Sequence, residues 1–209
     1  MTLWETVAAE RRALSADLSD LTTQQWQTES WCAGWSVRDV LAHMSSTAHS
    51  SPLRFVAGLA KARFSFDRFI DAGIANNLGA SPADTLAGFV AIIDSTDSPP
   101  GPKTSWLGET IVHAEDIRRP LGITHTYPDD AVREVFDFYA GSNLIMGTKK
   151  RIDGLQLVAS DTDFRHGAGG RVEGPLICLL LASTGRAPAC DDLTGPGVNV
   201  LRARCLSAH

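Results

Sequence analysis

The chain has 209 residues, of which 44% are hydrophobic and 21% charged, the balance of an ordinary globular protein with room for one good-sized domain or a main domain with a small appendage. A net charge of -5 with a pI near 5.6, and no basic stripe, weighs against nucleic acid or an anionic membrane as the main partner. The longest apolar run, Leu176 to Ala182, is too short to span a bilayer, and the N-terminus carries acids where a targeting segment needs a basic start, so a cytoplasmic location is expected.

In chain order, Leu3, Val7, Leu14, Leu18 and Leu21 recur at helical intervals behind a capping box of Thr2 and Glu5, which predicts a first helix of about twenty residues. A tryptophan-rich link from Trp26 to Trp35 follows. Ser36 and Asp39 then read as the cap of a second helix, SVRDVLAHMSSTAHS, which Pro52 ends or restarts. Residues 53 to 76 are mixed and aromatic, helical in parts. Ser81-Pro82-Ala83-Asp84 starts a third clear helix running to about Ser95, and DSPPGPK breaks the chain after it. A fourth long helix covers about Ser105 to Arg119, stopped by Pro120 and Gly122, and a fifth starts at Pro128.

After about Asp153 the texture changes. LQLVASD alternates, FRHGAGGRVEG is glycine-rich and extended, and together they predict a hairpin or two small strands, with the GAGG stretch as the turn. Helix returns from Gly174 to Gly185 and again in LTGPGVNVLRARC. The expected organisation is mainly α: a helical bundle over 1–150 and a small C-terminal α+β region over 151–209 packed on it.

The chemistry concentrates in GETIVHAEDIRRPLG. On a helix, Glu109 and His113 stand at i and i+4 on one face, close enough for both to grip one ion, or to be no more than an exposed polar pair. A catalytic metal site asks for a third ligand. His43 is the best candidate, mid-helix among Val37, Val40, Leu41 and Met44, with Asp39 one turn earlier as a possible acceptor for its other ring nitrogen. A buried histidine tied to Asp39 is the plainer alternative. His49, His125, His166 and His209 lie on another face, in loops or at the terminus, and read as structural. Trp4, Trp26, Trp31 and Trp35 read as core and staple residues. Cys32, Cys178, Cys190 and Cys205 are scattered with no CxxC pair, so reduced thiols with no part in a site are expected.

WCAGWSVRDVLAHM resembles the W-x-x-P/A-G-W-S/T-V-x-D-V-x-A-H-L signature of the mycothiol-dependent maleylpyruvate isomerase family, within the wider DinB/YfiT-like metalloprotein group. GETIVHAEDIRRPLGI is similar to that family's second metal-binding helix, and the tail from DTDFRHGAGGRVEG to LRARC to its C-terminal region. The resemblance implies a DinB-like four-helix bundle with the small α+β region appended. It implies a divalent metal, zinc first and nickel or another ion next, held by His43, Glu109 and His113. Mycothiol, an actinobacterial thiol, is implied as co-substrate, its metal-bound thiolate attacking an electrophilic small molecule in transfer or isomerisation.

S-transfer in detoxification is favoured over isomerisation of maleylpyruvate, because no pair of arginines plainly faces a dianion; Arg38, Arg118, Arg119 and Arg171 are the candidates. No residue is assigned as a separate general acid or base. The alternatives are a metal-dependent hydrolase of the same fold, in which the open position activates water, and a non-catalytic module binding a metal or small ligand. A homodimer is open.

Overall fold

Side-chain caps fix most helix starts in the N-terminal half. In this computed structural model, which describes residues 1–207, Thr2 and Glu5 form the expected capping box on α1 (Leu3–Asp17), and Ser36 and Asp39 form another on α3 (Val37–Ala48). Between them lies the short α2 (Thr23–Trp26). Pro52 opens α4 (Pro52–Lys61) at a position where a missing N–H costs nothing, so it restarts the helix, and residues 66 to 77 form a separate helix, α5 (Phe66–Asn77). Pro82 and the Ser81–Asp84 box open α6 (Pro82–Ala91), and α7 runs over Lys103–Arg118. Two expected lengths were too generous. The α1 helix stops at Asp17 and α6 at Ala91, with Leu18 and Ile92 at their C-caps, both buried in the core.

The chain divides into two compact units, Met1–Thr126 and Tyr127–His209. That division falls well before residue 150. The reason is α8 (Asp129–Ala140), which packs against α10 (Leu176–Ser183) of the second unit.

In the first unit α1 packs on α6 and α7, and α3 packs on α6 and α7, closing a four-helix bundle; α5 lies on the outer flank of α3. Leu14, Val40, Leu41, Met44, Phe89 and Ile117 are among the side chains that meet at its centre, each fully or almost fully buried. Burying each such side chain contributes about 1.5–3 kcal/mol relative to leaving it exposed. Arg11 ties α1 to the end of α6, donating to the carbonyls of Ile92 (3.1 Å) and Ser95 (2.9 Å).

The second unit holds α8, the short α9 (Thr148–Arg151), a three-stranded sheet, α10 and α11 (Val198–Leu206). Three strands stand where a hairpin or a strand pair was expected: β1 (Leu155–Ala159) is central, β2 (Arg165–Gly167) pairs with it antiparallel, and β3 (Gly170–Gly174) pairs with it parallel. The GAGG stretch is therefore not a hairpin turn. It carries the chain around the start of β1 from one edge to the other. Gly169, at φ +125°, passes so close that a Cβ would run into the Gly154 carbonyl oxygen. His166 sits on β2 with its ring edge against Phe136, 5.2 Å between centroids, a packing role. Among the described residues no helix is long and apolar enough to cross a membrane.

Candidate metal centre

From Ser105 to Arg118 nearly every residue of α7 is buried, and the interruptions, Trp106, Glu109 and His113, form one stripe along the helix. On α3, His43 and Thr47 likewise interrupt buried neighbours. These stripes face each other. The rings of His43 and His113 meet edge to face at 5.1 Å between centroids, and Thr47 Oγ1 donates to Glu109 Oε1 at 2.6 Å. An exposed helical pair on the wet side of α7 is excluded by that packing.

His113 is the best anchored of the three. Its Nδ1 lies 3.0 Å from Asp116 Oδ2, whose carboxylate is fully buried, and 3.5 Å from Cys32 Sγ. Cys32 Sγ in turn donates to the same Asp116 oxygen at 3.1 Å. With a hydrogen on Nδ1 aimed at the carboxylate, His113 keeps Nε2 as its open donor. The Trp31 N–H donates to the Asp116 carbonyl at 3.1 Å and so sews the tryptophan-rich link, Cys32 included, onto α7.

His43 is held differently. Among the described residues no protein group hydrogen-bonds its ring, which rests beside Trp35 at 5.0 Å between centroids. Asp39 does not serve it: its carboxylate accepts from Ser36 N at 2.9 Å and Ser36 Oγ at 2.6 Å, and is used up as the helix cap.

Burial, and then the nearby charge of His113, lower His43 to about 3, so its imidazole stays neutral. For His113 burial works downward as well, but the hydrogen bonds and charges of Asp116 and Cys32 prevail and push it up to about 10. Burial raises the Glu109 carboxyl above its ordinary range, opposed by His113, by the Thr47 hydrogen bond and by the charge of Arg11.

His43 and His113 are in ring contact and Glu109 lies one turn earlier on the same stripe of α7, but these three do not form a group whose candidate ligating atoms all lie within 4.8 Å of one another. Among the described residues, the histidine, cysteine and carboxylate group whose candidate ligating atoms all lie within 4.8 Å of one another is Cys32, His113 and Asp116. Cys32 therefore stands inside the site, against the expectation of idle cysteines, and Asp116 was missed altogether. Cys178, Cys190 and Cys205 are buried elsewhere and, among the described residues, enter no disulfide. His49 caps α3, His125 pairs with Glu10 at 2.8 Å, and His209 lies outside the described residues.

The arginines expected as anion binders are engaged in structure. Arg38 donates to Thr85 and to the Leu78 carbonyl, Arg118 to Asp17 (2.8 Å), Arg119 to Glu115 (2.7 Å) and Arg171 to Glu173 (2.9 Å).

The four-helix bundle, with a small α+β unit following it in the chain, is a DinB-like fold, and imidazoles and carboxylates gather between its facing helices. Residues 7–101, just under half of the chain, match the family model described as the mycothiol maleylpyruvate isomerase N-terminal domain. The matched span contains His43 and ends before Glu109. Two solved structures share the fold over 93% of this chain and 91% of theirs: a mycothiol-dependent maleylpyruvate isomerase (17% identity, TM-score 0.63) and a histidine-to-alanine variant of that enzyme (16% identity, TM-score 0.62). No curated protein matches the chain.

Proposed function

We propose that the chain is a metal- and mycothiol-dependent transferase or isomerase acting on a small electrophile, with His43, Glu109 and His113 as the metal ligands. The observation that carries this reading is the contact of two imidazoles from facing helices, one with its Nδ1 anchored on a buried carboxylate and the other with no hydrogen-bond partner among the described residues, beside a carboxylate steered by Thr47. Two imidazoles and one carboxylate suit zinc or a neighbouring divalent ion and leave a coordination position open. When bound, the ion supplies the acidity that makes a thiol a thiolate at neutral pH.

The chain's own residues do the rest. Asp116 accepts the Nδ1 hydrogen of His113, fixing the tautomer that keeps Nε2 available and the ring from turning. Thr47 holds one Glu109 oxygen and so sets the direction of the other. Burial keeps His43 neutral and able to donate its lone pair, and the Trp35 ring covers one side of it. Cys32 is turned to Asp116, so the attacking thiol comes from outside the chain, which is the part that mycothiol fills. The nucleophile adds to an electrophilic carbon; the adduct is the product of a transferase, and its collapse after bond rotation completes an isomerisation.

A second donor set is favoured by one observation, the closeness of Cys32, His113 and Asp116. Elemental analysis of the untagged protein separates the two. In the first reading metal is near one equivalent in the parent and in Cys32→Ala, and is lost in His43→Ala and Glu109→Ala; the reverse pattern establishes the second. Turnover of an electrophile that requires added mycothiol separates transferase or isomerase from hydrolase. A parent protein that takes up no metal on reconstitution would overturn both.

A further inference from the structure

A cleft of about 540 Å³ opens between the end of α3 and the α4 and α5 helices. It shares Ser46, Ser50 and Phe69 with a smaller recess of about 20 Å³ that His43 and Thr47 line, so the cleft adjoins the candidate metal centre across those three side chains. On α4 the lining residues Arg54, Gly58 and Lys61 recur at i, i+4 and i+7. On α5 Arg68, Ala72 and Asn76 recur at i, i+4 and i+8. Each helix turns one face to the cleft.

That face is cationic in a chain of net charge -5. Arg54, Lys61 and Arg68 line it and no aspartate or glutamate does, although α5 carries Asp67 and Asp71 elsewhere on its surface. Among the described residues none of the three cations has an ion-pair partner; Arg54 spends one N–H on the His49 carbonyl at 3.2 Å, which steadies its guanidinium. The contrast with Arg38, Arg118, Arg119 and Arg171, all tied down, is plain.

The floor is apolar. Phe69 lies along it, and it comes that close because Gly58 has no side chain: a Cβ there would stand 2.7 Å from the ring. Gly73 gives α5 the same close approach to Ser46 of α3, where a Cβ would collide with the hydroxyl. The dimensions are those of a pocket for a molecule larger than a compact diacid.

We propose that this cleft binds the electrophile and that the electrophile is an amphiphilic anion, with an apolar body along Phe69 and a carboxylate held by Arg54, Lys61 and Arg68. The inference deepens the reading of His43 as part of a thiol-activating centre and rests on it: the carboxylate end sits out in the cleft while the carbon to be attacked points through Ser46 and Ser50 towards His43. Guanidinium groups suit a carboxylate because they meet it with paired N–H donors, and Lys61 adds charge without fixed geometry.

The test is calorimetric titration of the full-length protein with naphthalene-2-carboxylate, with the uncharged naphthalene-2-carboxamide and with maleate, in the parent, Arg54→Gln, Arg68→Gln and the double variant. The naphthoate is expected to bind at least tenfold more tightly than either control. Each single variant should weaken it about tenfold and the double variant further, since a charge-assisted contact is lost. Carboxamide binding as tight as the naphthoate, maleate binding as tight, indifference to both arginines, or no binding at all would each overturn the proposal. Metal content measured on the same samples keeps the two readings apart: a metal-free protein that still binds naphthoate through Arg54 and Arg68 refutes the thiol-activating centre and leaves the cleft assigned.

Discussion

Asp116→Asn is the most informative single change, because it removes a charge and almost no volume from beneath His113. The carboxylate is fully buried and one oxygen, Oδ2, serves both His113 Nδ1 at 3.0 Å and Cys32 Sγ at 3.1 Å. An amide in its place still offers one acceptor, but a neutral one, and its NH₂ group can face the ring or the thiol only as a donor. Partners that orient a ligating imidazole are worth about 10–100-fold in metal affinity, which corresponds to about 1.4–2.7 kcal/mol. Loss of a hydrogen bond to a charged group contributes about 1.5–3 kcal/mol to folding stability on its own, so stability falls whether or not a metal is involved. The assay must therefore separate the two. Competition with a chromogenic chelator gives the metal affinity, and urea unfolding of the metal-free protein gives the stability. Metal affinity unchanged within twofold, with stability lowered, would show that Asp116 merely holds the tryptophan-rich link on α7 and would refute its role behind His113.

Thr47→Val keeps the shape of the side chain and deletes the 2.6 Å hydrogen bond to Glu109, so metal affinity should fall by about 1 kcal/mol, or roughly fivefold, with little change in the thermal midpoint of the metal-free form; an unaltered affinity would detach Thr47 from the site. The metal-free protein should lose stability as pH falls from about 6.5 towards 3, because folded His43, lowered to about 3, stays neutral while the unfolded chain binds the proton. His43→Asn should flatten that acid limb in urea midpoints taken at pH 7 and pH 4.5, and an equally steep limb in the variant would rule His43 out as its source. Gly169→Ala forces a Cβ against the Gly154 carbonyl at positive φ and should cost on the order of 1–3 kcal/mol, read as a lower thermal midpoint; a neutral result would mean that the crossover around β1 has room to move.

How far the sequence reveals this molecule depends on the range over which each interaction acts. Caps are local, so Thr2–Glu5, Ser36–Asp39 and Ser81–Asp84 mark helix starts that the structure keeps. The i, i+4 spacing of Glu109 and His113 is local too, and it places both on one stripe of α7. What the spacing cannot say is whether that stripe meets water or another helix, and only the position of α3 decides it. Asp116 was overlooked for a related reason: an acid near a helix C-terminus, between Glu115 and two arginines, reads as surface charge until the link carrying Cys32 folds over it. Asp39 erred in the opposite direction. Both a cap and an acceptor for His43 fitted its position, and the cap, being closer in the chain, took it. The arginines could not be sorted at all, since the partners of Arg118 and Arg38 lie 101 and 47 residues away.

Polarity buried between α3 and α7 has a cost that apolar residues would avoid. A hydroxyl or amide taken from water without a partner loses about 1–3 kcal/mol, and an unpaired charge more. Here Glu109 is satisfied on one oxygen by Thr47, and His113 on one nitrogen by Asp116, while the His43 ring bonds no protein group among the described residues. Glu109 and His113 are therefore each anchored by one hydrogen bond, and His43 is held by ring contacts with Trp35 and His113 alone. A purely structural network would be expected to close on itself, with His43 bonded to Glu109 or to a serine, since that arrangement recovers the lost hydration. Instead the residual donor capacity is left between the two helices, beside a recess that adjoins the cationic cleft. On the proposed reading, the stability forgone at His43, Glu109 and His113 is recovered when a divalent cation binds: His43 is already neutral, and the ion takes the place of the Nε2 proton on His113 that Asp116 and Cys32 favour in its absence.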